Sequence, residues 1–384
     1  MDVLEIDNSF KEFKTIEEVE LKQCEEWSVS EMTLKEIEYN TFFEQFMLRN
    51  VPCILKNVSF NWECSKKWIL RNQINYEYLI ESYGDLVVPV ADCNKISYNS
   101  QCKCEMKMKD FIHYLRKSER TQLLYLKDWH LKNVRPTDNF YEVPKVFGLD
   151  WLNEYAQDNN EDDFRFVYIG PQNSWTPLHS DVYSSYSWSV NVFGRKEWTL
   201  FPPGEERKLK DSLGNLPLMY NEKSFPNIQH LKIIQESGDA IFVPSGWYHQ
   251  VVNLQDTISI NHNWINSCNI VFMWKSLHEN LLTIENEIEH LKDTPEFHDQ
   301  CQLILKSLFG IDLERFKKFI IHIAQKRLHQ LEEKSLKSFD RFSLGKNQIL
   351  FDLNKIHFVM NKLNLENYKI HNDLLSIIQK KLFK

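Results

Sequence analysis

The sequence predicts a mainly β core of the sandwich or barrel class, preceded by mixed helical and strand elements and followed by a helical region. Three observations predict this arrangement. From about residue 164 apolar and polar residues alternate with a period of two, in short runs rich in β-branched and aromatic residues. Turn sequences such as PPG, SGD and PSG separate these runs, as is typical of jelly rolls and related β folds. Beyond about residue 270 apolar residues recur at three- and four-residue spacing, which indicates helices.

The chain divides into three predicted regions. Residues 1–50 alternate acidic and apolar positions and predict an N-terminal helical segment, whose clearest amphipathic helix spans 31–49. Residues 51–268 are predicted to form the central domain, in which an α/β extension precedes the β core. Residues 269–384 are predicted to form a C-terminal helical region.

The strands of the β core are predicted from their enrichment in β-branched and aromatic residues, which fit a pleated and half-buried surface. In chain order the predicted strands are RFVYIG (165–170), YSWSVNVF (186–193), KEWTLFPP (196–203), LKIIQ (231–235), AIFVP (240–244), YHQVVN (248–253) and TISINHNW (257–264).

Composition excludes several classes of protein. The chain has 384 residues, 42% hydrophobic and 13% aromatic, which indicates a soluble globular protein with a large core. A net charge of -8 without a basic stripe argues against direct nucleic-acid binding, and no glycine-rich nucleotide loop is present. No apolar run approaches the roughly 18 residues of a membrane span, and the acidic N-terminus is not a signal peptide. The eight cysteines are scattered, so we expect a reducing compartment, the cytosol or nucleus. The pair Cys102 and Cys104 could bind a metal, but an isolated C-x-C sequence is more often incidental.

The segment WTPLHSD contains an H-x-D pair, His179 and Asp181, at the start of the β core. In a strand, residues two apart point to the same face, so both side chains can meet at one point. His249 lies in a later strand that a jelly roll can place beside them. Two imidazoles and one carboxylate form the facial triad of non-haem Fe(II) oxygenases, which leaves positions open for a cosubstrate and O₂. By contrast, His371-Asn372-Asp373 is a second H-x-D in a predicted helix, and we expect it to bind no metal.

Lys196 lies in a segment that otherwise predicts a buried strand. A buried ammonium is unfavourable unless an anion neutralises it, and a ligand carboxylate is the natural partner in an oxygenase site. Thr176, three residues before His179, can donate a hydrogen bond to the same anion. The alternative is that Lys196 extends to solvent from an edge strand.

Long motifs resemble the JmjC family of oxygenases. They include YIGPQNSWTPLHSDVYSSYSWSVNVFGRKEWTLFPPGEE and GDAIFVPSGWYHQVVNLQDTISINHNWIN, extended by LLYLKDWHL and DWLNEYAQDNNEDDFRFVYIGP, and the resemblance covers roughly residues 40–335. It implies a double-stranded β-helix, a cupin-like jelly roll, that depends on Fe(II) and 2-oxoglutarate. Residues 51–268 would then be the JmjC catalytic domain.

The resemblance also assigns roles to individual residues. His179, Asp181 and His249 match the metal ligands of the family, whereas Thr176 and Lys196 match residues that bind the far carboxylate of 2-oxoglutarate. Asn261 and Asn263 match positions that line the cosubstrate pocket, and strand parity turns His262 the other way. Tyr168 is expected to point toward the same pocket. Some relatives carry an amide at the position of Ser189, which leaves the role of Ser189 open.

The resembling branch implies a protein hydroxylase that acts on a lysine carbon in the translation release factor, and hence on translation termination in the cytoplasm, with the nucleus as a second location. Two alternatives stay open: a histone N-methyl-lysine demethylase and a non-catalytic cupin-like binding module. The expected partners are this protein substrate and O₂, with no nucleic acid and no membrane. The C-terminal helices either cap the core or form a homodimer interface.

A lysine substrate requires groups at the mouth of the site that hold its ammonium away from the metal. The candidates by sequence position are Asp163, Tyr183, Tyr186 and Trp188.

Overall fold

The computed structural model describes residues 2–8, 29–333, 336–365 and 372–382. The strands are β1 (Asp2–Leu4), β2 (Ser30–Thr33), β3 (Cys53–Lys56), β4 (Ile69–Leu70), β5 (Gln73–Ile74), β6 (Val87–Ser97), β7 (Ser100–Lys107), β8 (Leu124–Trp129), β9 (Arg165–Gly170), β10 (Trp175–His179), β11 (Tyr186–Phe193), β12 (Lys196–Phe201), β13 (Leu231–Gln235), β14 (Ala240–Val243), β15 (Tyr248–Asn253), β16 (Thr257–Trp264) and β17 (Phe342–Leu344). The helices are α1 (Tyr39–Phe42), α2 (Glu63–Lys67), α3 (Tyr76–Tyr83), α4 (Met108–Leu115), α5 (Leu131–Val134), α6 (Trp151–Asn159), α7 (Ile270–Glu287), α8 (Phe297–Phe309), α9 (Leu313–Glu332), α10 (Lys346–Leu365) and α11 (Asn372–Leu382).

Two sheets form the centre of the fold. The larger has nine strands in the order β2-β3-β14-β11-β16-β9-β8-β6-β7, and the smaller has four in the order β10-β15-β12-β13. Strands that are distant in sequence are neighbours in both sheets, and most pairs are antiparallel, as in a jelly roll. The predicted mainly β core with flanking helices is therefore confirmed.

The two faces of the larger sheet differ in chemistry because its central strands alternate. In β11 the aromatic residues Tyr186 and Trp188 are fully buried in the main hydrophobic core, where Trp188 stacks on Phe147 at 5.4 Å between ring centroids. The intervening serines of β11 face the other way and pair in register with the asparagines of β16, Ser187 with Asn263 and Ser189 with Asn261. A polar inner surface is thus built opposite the smaller sheet.

The N-terminal segment departs from the sequence prediction. The helix predicted over 31–49 is wrong at its start, since residues Ser30–Thr33 form β2, which pairs in parallel with β3. The helix begins at Tyr39 and continues as a π-helical turn over Phe43–Met47. Backbone pairing with an exposed sheet edge decides this segment, and a four-residue strand leaves no periodicity to detect.

Buried ion pairs join the C-terminal helices to one another and to α6. Arg327 of α9 is fully buried and donates to both oxygens of Glu154 in α6, at 2.8 and 2.7 Å. Its Nε donates to Asp352 of α10 at 2.7 Å. Separation of these helices would leave buried charges without partners, which is unfavourable. The network therefore holds α9 and α10 in place against α6.

Candidate metal centre

Three side chains converge at one end of the jelly roll. His179 ends β10 and pairs in register with His249 of the neighbouring strand β15. Asp181 lies just beyond the strand, but its backbone stays extended (φ -65°, ψ 150°), so the two-residue alternation continues past the strand end. One ligand atom from each of the three side chains lies within 4.8 Å of the others. Among the described residues this is the only such group of histidine, cysteine and acidic side chains.

Backbone carbonyls orient both imidazoles in the same way. His179 Nδ1 lies 2.8 Å from the carbonyl oxygen of Pro177, and His249 Nδ1 lies 3.0 Å from that of Trp247. A carbonyl only accepts hydrogen bonds, so Nδ1 carries the proton in both rings and Nε2 is left as the ligand atom. Burial and the neighbouring His249 lower the pKa of His179 to about 4, which keeps this imidazole neutral at physiological pH.

The carboxylate of Asp181 is held on both sides. Ser187 Oγ donates to Oδ2 at 2.7 Å, and Asn263 Nδ2 donates to Oδ1 at 2.9 Å. Each carboxylate oxygen has a further lone pair, so these bonds orient the group without exhausting its capacity to bind a metal. Sequence reasoning missed Ser187, although its alternation with aromatic residues in β11 places it on the inner face.

Lys196 is buried, with 2% of its surface exposed. Its Nζ donates to Ser259 Oγ at 2.8 Å and to Tyr125 Oη at 3.4 Å. Among the residues that the structure describes, no carboxylate pairs with this ammonium, and burial lowers the pKa of Lys196 to about 7. The alternative that Lys196 extends to solvent is therefore wrong. The buried ammonium lacks an anionic partner among the described residues, and an anionic ligand would stabilise its charge.

A cavity lined by polar and aromatic side chains connects Lys196 with the metal ligands. Thr176, Ser189, Asn261 and Asn263 all line it, so every side chain that the sequence assigned to the site is brought together there. Tyr168 lines the cavity as expected. The roles of these side chains in cosubstrate binding stay predictions.

The structure shows the hydrogen-bond partners of the polar residues of β11 and β16, which the sequence left open. The buried hydroxyl of Ser189 hydrogen-bonds no group of the described residues. Asn263 donates to the Asp181 carboxylate and to Ser185, whereas the Asn261 amide donates, within the described part of the chain, to Ser259 Oγ alone, at 3.5 Å. His262 lies on the opposite face, where it is fully buried, stacks on Trp188 and hydrogen-bonds Tyr141 at 2.7 Å, in agreement with a structural role.

A second cavity of about 360 Å³, named the entrance below, lies beside the metal centre. His179 and Asp181 form part of its wall. The remaining lining is acidic and aromatic and includes Asp128, His130, Asp162, Asp163, Phe164, Phe166 and Tyr168.

Two of the residues predicted to recognise a substrate lysine do not reach this entrance. Tyr186 and Trp188 are fully buried on the core face of β11, so that prediction is wrong for both. Asp163 does line the entrance. Tyr183 is partly buried and packs against Phe164 and Phe309, with ring centroids 5.8 and 5.6 Å away.

The donor set fits Fe(II) together with an anionic cosubstrate. Two imidazole nitrogens and one carboxylate oxygen leave coordination positions free, as in the two-histidine, one-carboxylate iron oxygenases. The unpaired ammonium of Lys196 and the unsatisfied hydroxyl of Ser189 supply a cation and a donor for a ligand carboxylate.

Other sequence features contribute no second site. Cys102 is half-buried and Cys104 exposed, and both are free thiols. His371 lies outside the described residues. None of the helices in the described part of the chain has both the length and the apolar character to cross a bilayer.

Comparison with known proteins gives consistent results. A family model described as a cupin-like domain matches residues 39–270. The chain is 42% identical over 363 residues to the 2-oxoglutarate and iron-dependent oxygenase JMJD4 of Danio rerio, and the alignment covers 87% of this chain and 86% of that protein. It is 41% identical over 344 residues to the human protein of the same name, with 85% and 82% covered. It is also 35% identical over 359 residues to the arginine-specific demethylase JMJ20 of Arabidopsis thaliana, with 86% and 78% covered.

Proposed function

Because the chain belongs to the cupin-like JmjC family and is a 2-oxoglutarate and iron-dependent oxygenase, we propose that it hydroxylates a side-chain carbon of a lysine in a protein. The resemblance drawn from its sequence motifs is thereby confirmed at the level of the family. The proposed target is the eukaryotic peptide chain release factor, in an exposed loop. The enzyme would then act on translation termination in the cytoplasm.

Each residue of the metal centre has a distinct role in the proposed reaction. Fe(II) and 2-oxoglutarate, when bound, would activate O₂, of which one oxygen atom is inserted into a substrate C–H bond and the other enters succinate. His179, Asp181 and His249 would hold the metal, and Lys196 would pair with the far carboxylate of the cosubstrate. Ser187 and Asn263 keep the Asp181 carboxylate oriented.

The observation that supports a lysine substrate is the entrance beside the metal ligands. Its aromatic side chains, Phe164, Phe166 and Tyr168, suit an aliphatic stem, and the Asp128 carboxylate suits the ammonium at the end of that stem. A neutral side chain such as asparagine would gain nothing from this charge. The entrance also suits other cationic side chains, so the reaction product must distinguish them.

A demethylase is the second candidate, and one specific observation favours it. The Arabidopsis relative is named an arginine-specific demethylase, and methyl-arginine or methyl-lysine would carry the same charge into the entrance. The non-catalytic module is disfavoured because all three ligand side chains are present and oriented.

Peptide mass spectrometry tests the proposal. Recombinant release factor is incubated with the enzyme, Fe(II), 2-oxoglutarate and O₂, and we expect one lysine to gain roughly 16 mass units. A loss of roughly 14 mass units from a methylated substrate would identify a demethylase instead. Modification of an asparagine or arginine, or of no residue, would overturn the lysyl hydroxylase proposal. Asp181→Ala serves as the inactive control.

We further propose that the C-terminal helices mediate a homodimer. Two leucines of α8, Leu303 and Leu308, are 63% and 69% exposed, and contact with a second copy of the chain would bury them. Sedimentation of wild type against Leu303→Glu tests this, since a dimer through α8 should dissociate in the variant. A monomeric wild type would overturn it.

A further inference from the structure

The entrance beside the metal centre contains carboxylates with very different partners. Asp163 is 4% exposed and uses both oxygens, one 2.8 Å from His130 Nδ1 and the other 2.7 Å from Arg165 Nε. This carboxylate is neutralised within the protein. Asp162 accepts a bond from the side-chain amide of Asn133 and lies at the surface. Neither of these two acids is arranged to hold a further cation above the metal.

Asp128 is arranged differently. The hydroxyl of Tyr168 donates to its Oδ1 at 2.7 Å and fixes the orientation of the carboxylate. Tyr168 lines both the cosubstrate cavity and the entrance, so this bond places Asp128 directly beside the route to the metal. The backbone of Asp128 is left-handed (φ 60°), and the register of β8 against β9 shifts at this point, which turns the side chain toward the entrance.

The second oxygen of Asp128 already binds an ammonium. Lys103 of β7 donates to Oδ2 at 2.7 Å. The two side chains are 59% and 38% exposed, and ion pairs of this kind are weak because water competes for both partners. Tyr168 therefore holds one side of the carboxylate firmly, while a displaceable amine occupies the other.

We propose that Asp128 is the subsite for the ammonium of the substrate, and that Lys103 occupies it until a substrate lysine takes its place. The inference rests on the proposed function for the identity of the substrate. In this arrangement the aromatic ring of Phe166 packs against the methylene stem. The ammonium is anchored away from His179 and Asp181, so a carbon of the stem, and not the nitrogen, faces the metal.

Binding of matched peptides tests the subsite without requiring turnover. Two peptides from an exposed loop of the release factor carry either lysine or norleucine at one position, and norleucine keeps the stem but lacks the ammonium. Calorimetry with protein loaded with Mn²⁺ and 2-oxoglutarate should give wild type a roughly tenfold preference for lysine. Asp128→Asn keeps an oxygen for the Tyr168 hydroxyl and should abolish the preference. Asp85→Asn breaks a comparable exposed pair with Lys109 and should retain it.

Lys103→Gln provides an independent variant. Removal of the competing amine should tighten the lysine peptide by up to about fivefold, the contribution of an exposed ion pair, and leave the norleucine peptide unchanged. A wild type with no preference, or a preference that persists in Asp128→Asn, would overturn the subsite.

Mass spectrometry of the same peptides after incubation with the Fe(II)-loaded enzymes, 2-oxoglutarate and O₂ separates this inference from the proposed function. If wild type hydroxylates lysine and Asp128→Asn does so with the same KM, only the subsite is wrong. If wild type prefers the ammonium but modifies no lysine, the subsite stands and the lysyl hydroxylase proposal is wrong.

Discussion

Replacement of Lys196 by methionine removes the buried ammonium of β12 and keeps an unbranched side chain of similar length. Among the described residues this ammonium hydrogen-bonds only the hydroxyls of Ser259 and Tyr125, so its charge is available for the far carboxylate of 2-oxoglutarate. A hydrogen bond to a charged group contributes about 1.5–3 kcal/mol. A buried carboxylate left without its partner adds to the loss, since breaking a buried pair costs about 3–5 kcal/mol. We therefore expect Lys196→Met to weaken 2-oxoglutarate binding by ~3 kcal/mol, or roughly a hundredfold.

The assay follows the Kd of 2-oxoglutarate by calorimetry on Mn²⁺-loaded protein, together with the KM in succinate release. Metal binding should persist, because the three ligand side chains are unchanged. The free energy of unfolding without ligand should not fall, since a desolvated ammonium without a carboxylate partner destabilises the folded state. Lys355→Met is the matched control, a lysine of α10 that is equally buried at 2% exposed but remote in the fold. An unchanged Kd in Lys196→Met, or an equal loss in Lys355→Met, would refute the assignment.

The remaining predictions concern the metal ligands, pH and stability. His179→Ala and Asp181→Ala should each abolish succinate release while circular dichroism stays unchanged, and His371→Ala should retain full turnover; appreciable turnover in either ligand variant would contradict the site. Because the pKa of Lys196 is lowered to about 7, its ammonium is present below this pH and lost above it, so 2-oxoglutarate affinity of wild type should fall by about tenfold per pH unit above pH 7. A Lys196→Met profile with the same slope would argue against this lysine as the titrating group. Arg327→Met leaves the buried Asp352 without a cationic partner among the described residues and Glu154 with Lys326 alone, and it should lower the free energy of unfolding in urea by about 3–5 kcal/mol; a loss below 1 kcal/mol would contradict the network.

Regular alternation made most of the β core predictable from the sequence. The period of two marks the strands, and the spacing of His179 and Asp181 within it brings two ligands to one point. The same alternation also determines which face the side chains of β11 occupy. Tyr186 and Trp188 were instead expected at the mouth of the site because they follow Asp181 in the chain. Their alternation with Ser187 and Ser189 in fact turns them into the hydrophobic core.

Features that depend on non-local contacts could not be predicted. Strand β2 forms because an exposed sheet edge accepts it, and nothing in Ser30–Thr33 indicates a strand. The pairing of Arg327 with Glu154 joins residues 173 positions apart. The orientation of Asp128 follows from a left-handed backbone angle and a distant tyrosine hydroxyl, neither of which leaves a pattern in the sequence.

The central claim, that the chain couples 2-oxoglutarate turnover to lysine hydroxylation, is tested most directly by the stoichiometry of the reaction. The assay measures the moles of succinate formed for each mole of lysine hydroxylated when intact release factor is incubated with the enzyme, Fe(II), 2-oxoglutarate and ¹⁸O₂. A metal held by His179, Asp181 and His249 beside a cosubstrate on Lys196 predicts about one succinate for each hydroxylated lysine, with ¹⁸O in the new hydroxyl group. Both products should be absent with Asp181→Ala. Hydroxylation that proceeds without 2-oxoglutarate, or succinate release that is unaffected by Asp181→Ala, would contradict it.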